Sequence, residues 1–173
     1  MKRTVYISCM IFVVLSFCGC THNNGDIGPW FGQWKVERID KDGMPDPDYE
    51  GDCLLRFQSS VVTVVLVTNN GYAESSSLKY GNWEETGGYM HFDFKEGLNT
   101  PLNKLHMDKF VCPVCGYVGQ SLIGVWECPE CGTSAGEFKV ECDLKILIRE
   151  GKEKQLQLVK DDGTVYTYYL VKW

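Results

Sequence analysis

The stretch Phe138-Lys139-Val140-Glu141-Cys142-Asp143-Leu144-Lys145-Ile146-Leu147-Ile148-Arg149 alternates apolar and polar residues with a period of two. That period belongs to a β-strand, with Phe138, Val140, Cys142, Leu144, Ile146 and Ile148 facing a core and the charged set facing water. Cys53, Leu55 and Phe57 alternate in the same way with Asp52, Leu54, Arg56 and Gln58, and Met90, Phe92 and Phe94 with Tyr89, His91 and Asp93. The β-branched run over 61–67 predicts a strand buried on both faces. Asn70-Gly71, Gly87-Gly88, Glu150-Gly151-Lys152 and Asp161-Asp162-Gly163 supply the turn residues that hairpins need. Strands are thus predicted near 33–39, 52–58, 61–67, 72–84, 89–94, 138–149, 154–160 and 164–172. No useful helical stripe is present, and Thr100-Pro101 caps at most a short turn through Leu102 and Leu105. The expected class is all-β: an antiparallel up-and-down barrel of about eight strands, since closure removes exposed edges, with a sandwich as the alternative.

The first residues fall outside this pattern. Lys2 and Arg3 precede an uncharged apolar run from Val5 to Leu15, too short for a comfortable membrane span and typical of an export leader. The run closes on Leu15-Ser16-Phe17-Cys18-Gly19-Cys20, which resembles a lipoprotein signal. The small residue Gly19 before Cys20 makes Cys20, rather than Cys18, the implied lipidation site. An ordinary secretory signal or an uncleaved anchor is the alternative. The expected organisation is a signal peptide over 1–19, the lipidated Cys20 with a polar tether over 20–29, and a barrel over 30–173. The protein would then be exported and anchored in a membrane, at the outer membrane facing the periplasm. Cleavage leaves 15 basic against 23 acidic residues, a charge of −8 in place of −6. Such an acidic chain with no Lys/Arg block is not a nucleic-acid binder.

Gly32-Gln33-Trp34, just after the Gly28-Pro29 tether, resembles the G-x-W signature of lipocalins. The Asp42–Tyr49 loop, Gly81-Asn82-Trp83-Glu84-Glu85 and the closing Gly163–Leu170 segment follow in the order of the lipocalin-like domain of exported bacterial lipoproteins. The resemblance implies that Trp34 plugs the closed end of the barrel, that Gly32 lets the chain pass close to it, and that an Arg packs on Trp34. No Arg in the sequence is assignable to that last role. Gly81–Trp83 repeats the G-x-W spacing without repeating its flanks, and reads as a strand kink with an aromatic plug.

Inserted between strand segments, over 111–133, are Cys112-Pro113-Val114-Cys115-Gly116 and Cys128-Pro129-Glu130-Cys131-Gly132, in the spacing C-x2-C-x12-C-x2-C. Each knuckle turns two thiolates to one side, and two knuckles complete a tetrahedron around an ion. Cys112, Cys115, Cys128 and Cys131 are therefore the predicted metal ligands. The segment resembles zinc ribbons and the short iron-binding knuckles of rubredoxin and rubrerythrin. Tetrahedral sulfur does not itself separate Zn2+ from Fe. Export in an unfolded state favours structural zinc, and an oxidising compartment leaves disulfides open. A rubredoxin-like electron carrier is the iron alternative. Leu122, Ile123, Val125 and Trp126 on the connecting loop suggest a recognition surface.

Nucleophile elbows, HExxH, P-loops and GxGxxG are absent, and no catalytic set emerges. His91 shares a face with Asp93, His106 has no evident partner, and the acidic loop over 40–50 fails the calcium-loop pattern and reads as solvated. The expected function is binding, not catalysis. A small apolar ligand inside the barrel would meet aromatics such as Tyr72, Tyr80, Trp83, Phe92, Phe94 and Tyr168. The alternatives are a protein partner, or a barrel filled by those same side chains. Cys53 and Cys142 are inward-facing thiols that could pair.

Overall fold

Eight long strands follow one another around a ring. They are β1 (Gly32–Lys41), β3 (Cys53–Gln58), β4 (Val61–Leu66), β5 (Leu78–Thr86), β6 (Tyr89–Phe94), β9 (Lys139–Ile148), β10 (Glu153–Val159) and β11 (Val165–Lys172). Every neighbour is antiparallel, and pairing of β11 with β1 and of β10 with β9 closes the circle. The expected up-and-down barrel is what forms, and the sandwich is not. This computed structural model describes residues 28–67, 78–95, 100–121 and 124–173. The leader with Cys20, His22 in the tether, the Asn70-Gly71 turn, Tyr72, and Leu122 with Ile123 lie outside the described residues.

Besides a 3-10 turn over Ala135–Glu137, three two-residue strands and one helix complete the elements of the described residues: β2 (Met44–Pro45), β7 (Phe110–Val111), β8 (Val118–Gly119) and α1 (Thr100–Lys104). All four are too short for a periodic signal, and only the turn around Leu102 was anticipated. Alternation places Cys53, Leu55, Phe57, Met90, Phe92, Phe94, Val140 and Leu144 in the core as expected. At the far end of β9 it fails. Gln155 pairs with Ile148 while Leu156 pairs with Ile146, a register irregularity that turns Ile148 out to 40% exposure. In β4 the prediction of two buried faces holds for Val62, Thr63 and Val64, and gives way to exposure at Val61 and Val67.

The basal end, where the chain enters, is plugged by Trp30 and Trp34, with Phe57 against Trp30. The Trp34 indole N–H donates to the Trp30 carbonyl at 2.7 Å. Among the described residues no Arg covers Trp34. Lys172 and Lys154 take that place, with Nζ 4.5 and 4.7 Å from its ring centre, and Lys154 lies equally close over Trp30. Lys154 is buried and donates to the Arg149 carbonyl. Gly32 has φ 105°, and a methyl there would stand 2.6 Å from the Lys172 ammonium. The glycine of the G-x-W triplet is thus required by its backbone conformation, and a side chain there would also displace the Lys172 ammonium.

At the opposite, apical end, Leu102, Leu105 and Met107 of α1 and the segment after it are buried, and the Tyr168 hydroxyl donates to the Leu105 carbonyl at 2.5 Å. Among the described residues no helix is long and apolar enough to cross a membrane.

Candidate functional site

The four-cysteine insertion sits at the apical end, between β6 and β9. Its two halves use the same turn. The Cys112 N–H donates to the Tyr117 carbonyl at 2.8 Å and the Gly116 N–H to the Cys112 carbonyl at 2.9 Å. In the other half Cys128 donates to Thr133 and Gly132 to Cys128 at the same distances. Gly116 and Gly132 have φ of 75° and 71°, which side chains with a Cβ rarely adopt. The doubled C-P-x-C-G motif is therefore a doubled backbone geometry.

That geometry brings the four predicted ligands together. All four Sγ atoms lie within 4.8 Å of one another, with Cys112–Cys131 at 3.6 Å and Cys115–Cys128 at 3.5 Å. Four thiolates about 2.3 Å from a central ion would stand about 3.8 Å apart, so the cluster has the dimensions of a tetrahedral site. The closest sulfurs belong to different knuckles, and none of the four is joined in a disulfide. Cys112 and Cys128 are buried, and Cys115 and Cys131 are exposed.

Without an ion the sulfurs do not share one charge state. Desolvation pushes the Cys112 thiol up, but the N–H groups of Cys115 and Val114 outweigh it and bring it down to about 6. The Thr133 hydroxyl draws Cys131 down as well. For Cys115 the Tyr117 N–H favours the thiolate, yet desolvation and the surrounding sulfurs leave it pushed up to about 12. A dication would remove that mutual repulsion and hold all four deprotonated.

The knuckle is packed onto the barrel. β7 pairs with both β8 and the start of β9. The Phe110 ring stacks on Phe138 with centres 4.5 Å apart. A methyl at Gly119 would fall 2.2 Å from two atoms of that ring. Phe110 is fully packed and cannot retreat, so Gly119→Ala is expected to cost about 1–3 kcal/mol in denaturant unfolding. At the surface, Asp161 of the β10–β11 turn accepts from Gln120 at 2.5 Å and Lys109 at 3.3 Å, tying the knuckle to the neighbouring strand pair.

Where β7 takes its place beside β9, β10 pairs only with Lys145, Ile146 and Ile148. The wall there opens into a cleft of about 330 Å³, lined by Met107, Val111, Val118, Cys142, Leu158 and Val159 with charged residues around them. The Lys160–Asp108 ion pair lies in this seam. Both body histidines border the cleft, with partners the sequence did not reveal. His91 Nδ1 lies 2.7 Å from Asp143 across the β6–β9 ladder, not against Asp93. His106 Nε2 lies 2.6 Å from Asp46, and its ring stacks on Tyr166 at 4.0 Å. Asp46 is buried, so the acidic loop is not simply solvated as expected.

The ligand candidates do not form one lining. Phe92 and Tyr168 are wholly buried among core side chains, Trp83 is half-buried with its edge to Phe57, and Tyr80 points outward at 61% exposure. Cys53 and Cys142 are separate buried thiols, each pushed up to about 12 by burial. They should resist a thiol reagent at neutral pH until the protein unfolds, whereas the knuckle cysteines should become reactive on metal removal alone. A stepwise thiol titration checks this order.

Comparison with solved structures addresses the barrel. A lipocalin-like protein from Bacteroides uniformis superposes with a TM-score of 0.51 at 14% identity, over 84% of this chain and 100% of that one. The fold is lipocalin-like. An uncharacterized protein from Bacteroides eggerthii aligns at a TM-score of 0.49 and 13% identity, over 83% of this chain and 99% of that one. No protein-family model and no curated protein matches the chain.

Proposed function

We propose that this chain is a membrane-anchored lipoprotein in which a filled lipocalin-like barrel presents a zinc-held knuckle as its binding element. The observation carrying the reading is the convergence of Cys112, Cys115, Cys128 and Cys131 within 4.8 Å, on a segment that leaves Trp126 76% and Val114 68% exposed. Large apolar side chains held outward on a closed thiolate site suit contact with another protein. With all four ligands supplied by cysteine, the ion would have a structural role. Zinc is favoured over iron because an exported chain would acquire its metal after crossing the membrane unfolded, and its anchor would be lipid on Cys20. The barrel axis is occupied by core side chains such as Phe92 and Tyr168, so an apolar molecule there would have to displace packed aromatics.

Native mass spectrometry and metal analysis of the gently purified protein test this reading. One zinc per chain and no retained small molecule is the expected outcome. Visible thiolate-to-iron absorption at full occupancy would replace it with electron transfer. A photo-crosslinker in place of Trp126 should give a specific protein adduct in cells that disappears when Cys128 and Cys131 become serine. The second reading is a small ligand in the seam cleft, favoured by that cleft's apolar floor; a retained molecule whose mass signal disappears in Leu158→Trp would establish it.

A further inference from the structure

Charge is distributed unevenly between the two ends of the barrel. The basal segments 28–35, 55–62, 83–91, 144–155 and 170–173 carry seven basic and four acidic residues. The other described residues carry eight basic and sixteen acidic residues. The same end exposes apolar side chains, with Trp173 at 68%, Phe31 at 45%, Leu147 at 41% and Ile148 at 40%. The main chain of two of these residues is tied to the barrel. The Trp173 N–H donates to the Gln33 carbonyl at 3.0 Å, and the Phe31 carbonyl accepts from Lys172 at 2.5 Å.

The chain also enters the barrel here, at Gly28. Eight peptide steps separate Gly28 from Cys20, a reach of at most about 28 Å. A lipid on Cys20 would therefore hold this end, and not the apical knuckle, close to the bilayer. Aromatic side chains ringed by lysine and arginine match the interface of an anionic membrane.

We propose that the basal end of the barrel is a membrane-docking surface, in which Trp173 and Phe31 enter the headgroup layer of an anionic bilayer and Arg56, Lys145 and Lys152 meet its phosphates. The proposal rests on the lipoprotein reading above. It gives the anchored protein a fixed orientation, with the four-cysteine knuckle pointed away from the membrane.

The test uses protein purified from membranes and reconstituted into phosphatidylethanolamine vesicles with 30% phosphatidylglycerol, on the order of a natural anionic content, with brominated acyl chains. Tryptophan emission should fall about twofold more than in Trp173→Phe, since of the other four tryptophans Trp30 and Trp34 are buried in the plug, Trp83 is half-buried and Trp126 stands on the apical knuckle. The difference should vanish in wholly zwitterionic vesicles and in the triple variant Arg56→Gln, Lys145→Gln, Lys152→Gln, whose three exposed cations lie outside the core. Equal quenching with and without Trp173, or insensitivity to the triple variant, overturns docking. The N-terminal peptide mass from the same sample reports lipid on Cys20 separately. If lipid is present and Trp173 is unquenched, docking fails while anchoring stands. If lipid is absent, anchoring fails, and docking is judged by sedimentation. Binding to anionic but not zwitterionic vesicles at low salt supports docking, and remaining in solution overturns it.

Discussion

Replacing Cys112 and Cys128 with serine should eliminate bound metal and unfold the knuckle while the barrel persists. The regular structure of the insertion is the two-residue β7–β8 pair around the first knuckle and an isolated bridge between Glu127 and Ser134 around the second, and the halves meet at the four cysteines. That is little regular structure for a segment this long. In small zinc domains the apparent binding free energy is about 10–16 kcal/mol, larger than such turns supply. Hydrogen exchange at the Cys112 and Cys128 amides, both in turn hydrogen bonds, should accelerate on the order of a hundredfold in the variant. Amides in the β1–β11 and β3–β4 ladders should stay protected, because neither pairing includes β9 or its ring neighbours β6 and β10. The barrel should nevertheless lose stability. Phe110 and Phe138 belong to the core cluster and are positioned by the segments flanking the knuckle. If the whole chain unfolds in one step with the knuckle, the insertion is integral to the fold and not a separately held element.

Metal removal from the unmodified protein should reproduce this pattern, with a dependence on pH. Binding requires four thiolates, and in the metal-free state Cys115 is pushed up while Cys112 and Cys131 are drawn down. Occupancy must displace protons from the thiols, so apparent affinity should rise with pH across the neutral range. A chelator titration at several pH values gives the slope.

Legibility of the sequence tracked the range of the interaction. A buried face repeats every second residue within a strand, so all eight long strands and the orientation of Cys53, Phe57, Phe92 and Cys142 were readable locally. The clustering of the four cysteines was readable because the knuckle writes its geometry into adjacent residues. Contacts across the ring were not readable. His91 meets Asp143 only through the β6–β9 register, and His106 meets Asp46 only because the loop after α1 crosses to the β1–β3 loop. The split between β9 and β10 arises where β7 occupies one edge of β9, and two residues carry no period from which to infer it. The base of the barrel was partly legible. Trp34 was expected as a plug with an arginine over it. Two lysines far along the chain occupy that place, and a lysine ammonium meets an indole face by the same cation–π attraction as a guanidinium, so local sequence does not single out the partner.

Trp34→Ala should be among the most damaging single substitutions in the barrel, costing about 3–5 kcal/mol in chemical denaturation. The indole is 2% exposed, and its removal opens a cavity at the basal end. The loss extends beyond volume. Lys154 is buried, and burial lowers its affinity for a proton, so its charge depends on the Trp30 and Trp34 faces and on the Arg149 carbonyl. Without Trp34 that ammonium loses one of its two aromatic partners in a poorly hydrated place. Trp34→Phe should therefore recover less stability than its hydrophobic volume predicts, because it keeps an aromatic face yet loses the donor to the Trp30 carbonyl. Adding Lys154→Met to Trp34→Ala should cost less than the two single changes summed, since the second removes a cation already deprived of its partner. Additive losses would separate lysine and indole, and make the plug a matter of packing alone. Tyr80→Ala supplies the contrast: its ring is largely in water on the outer face, so the change should stay within about 0.5 kcal/mol.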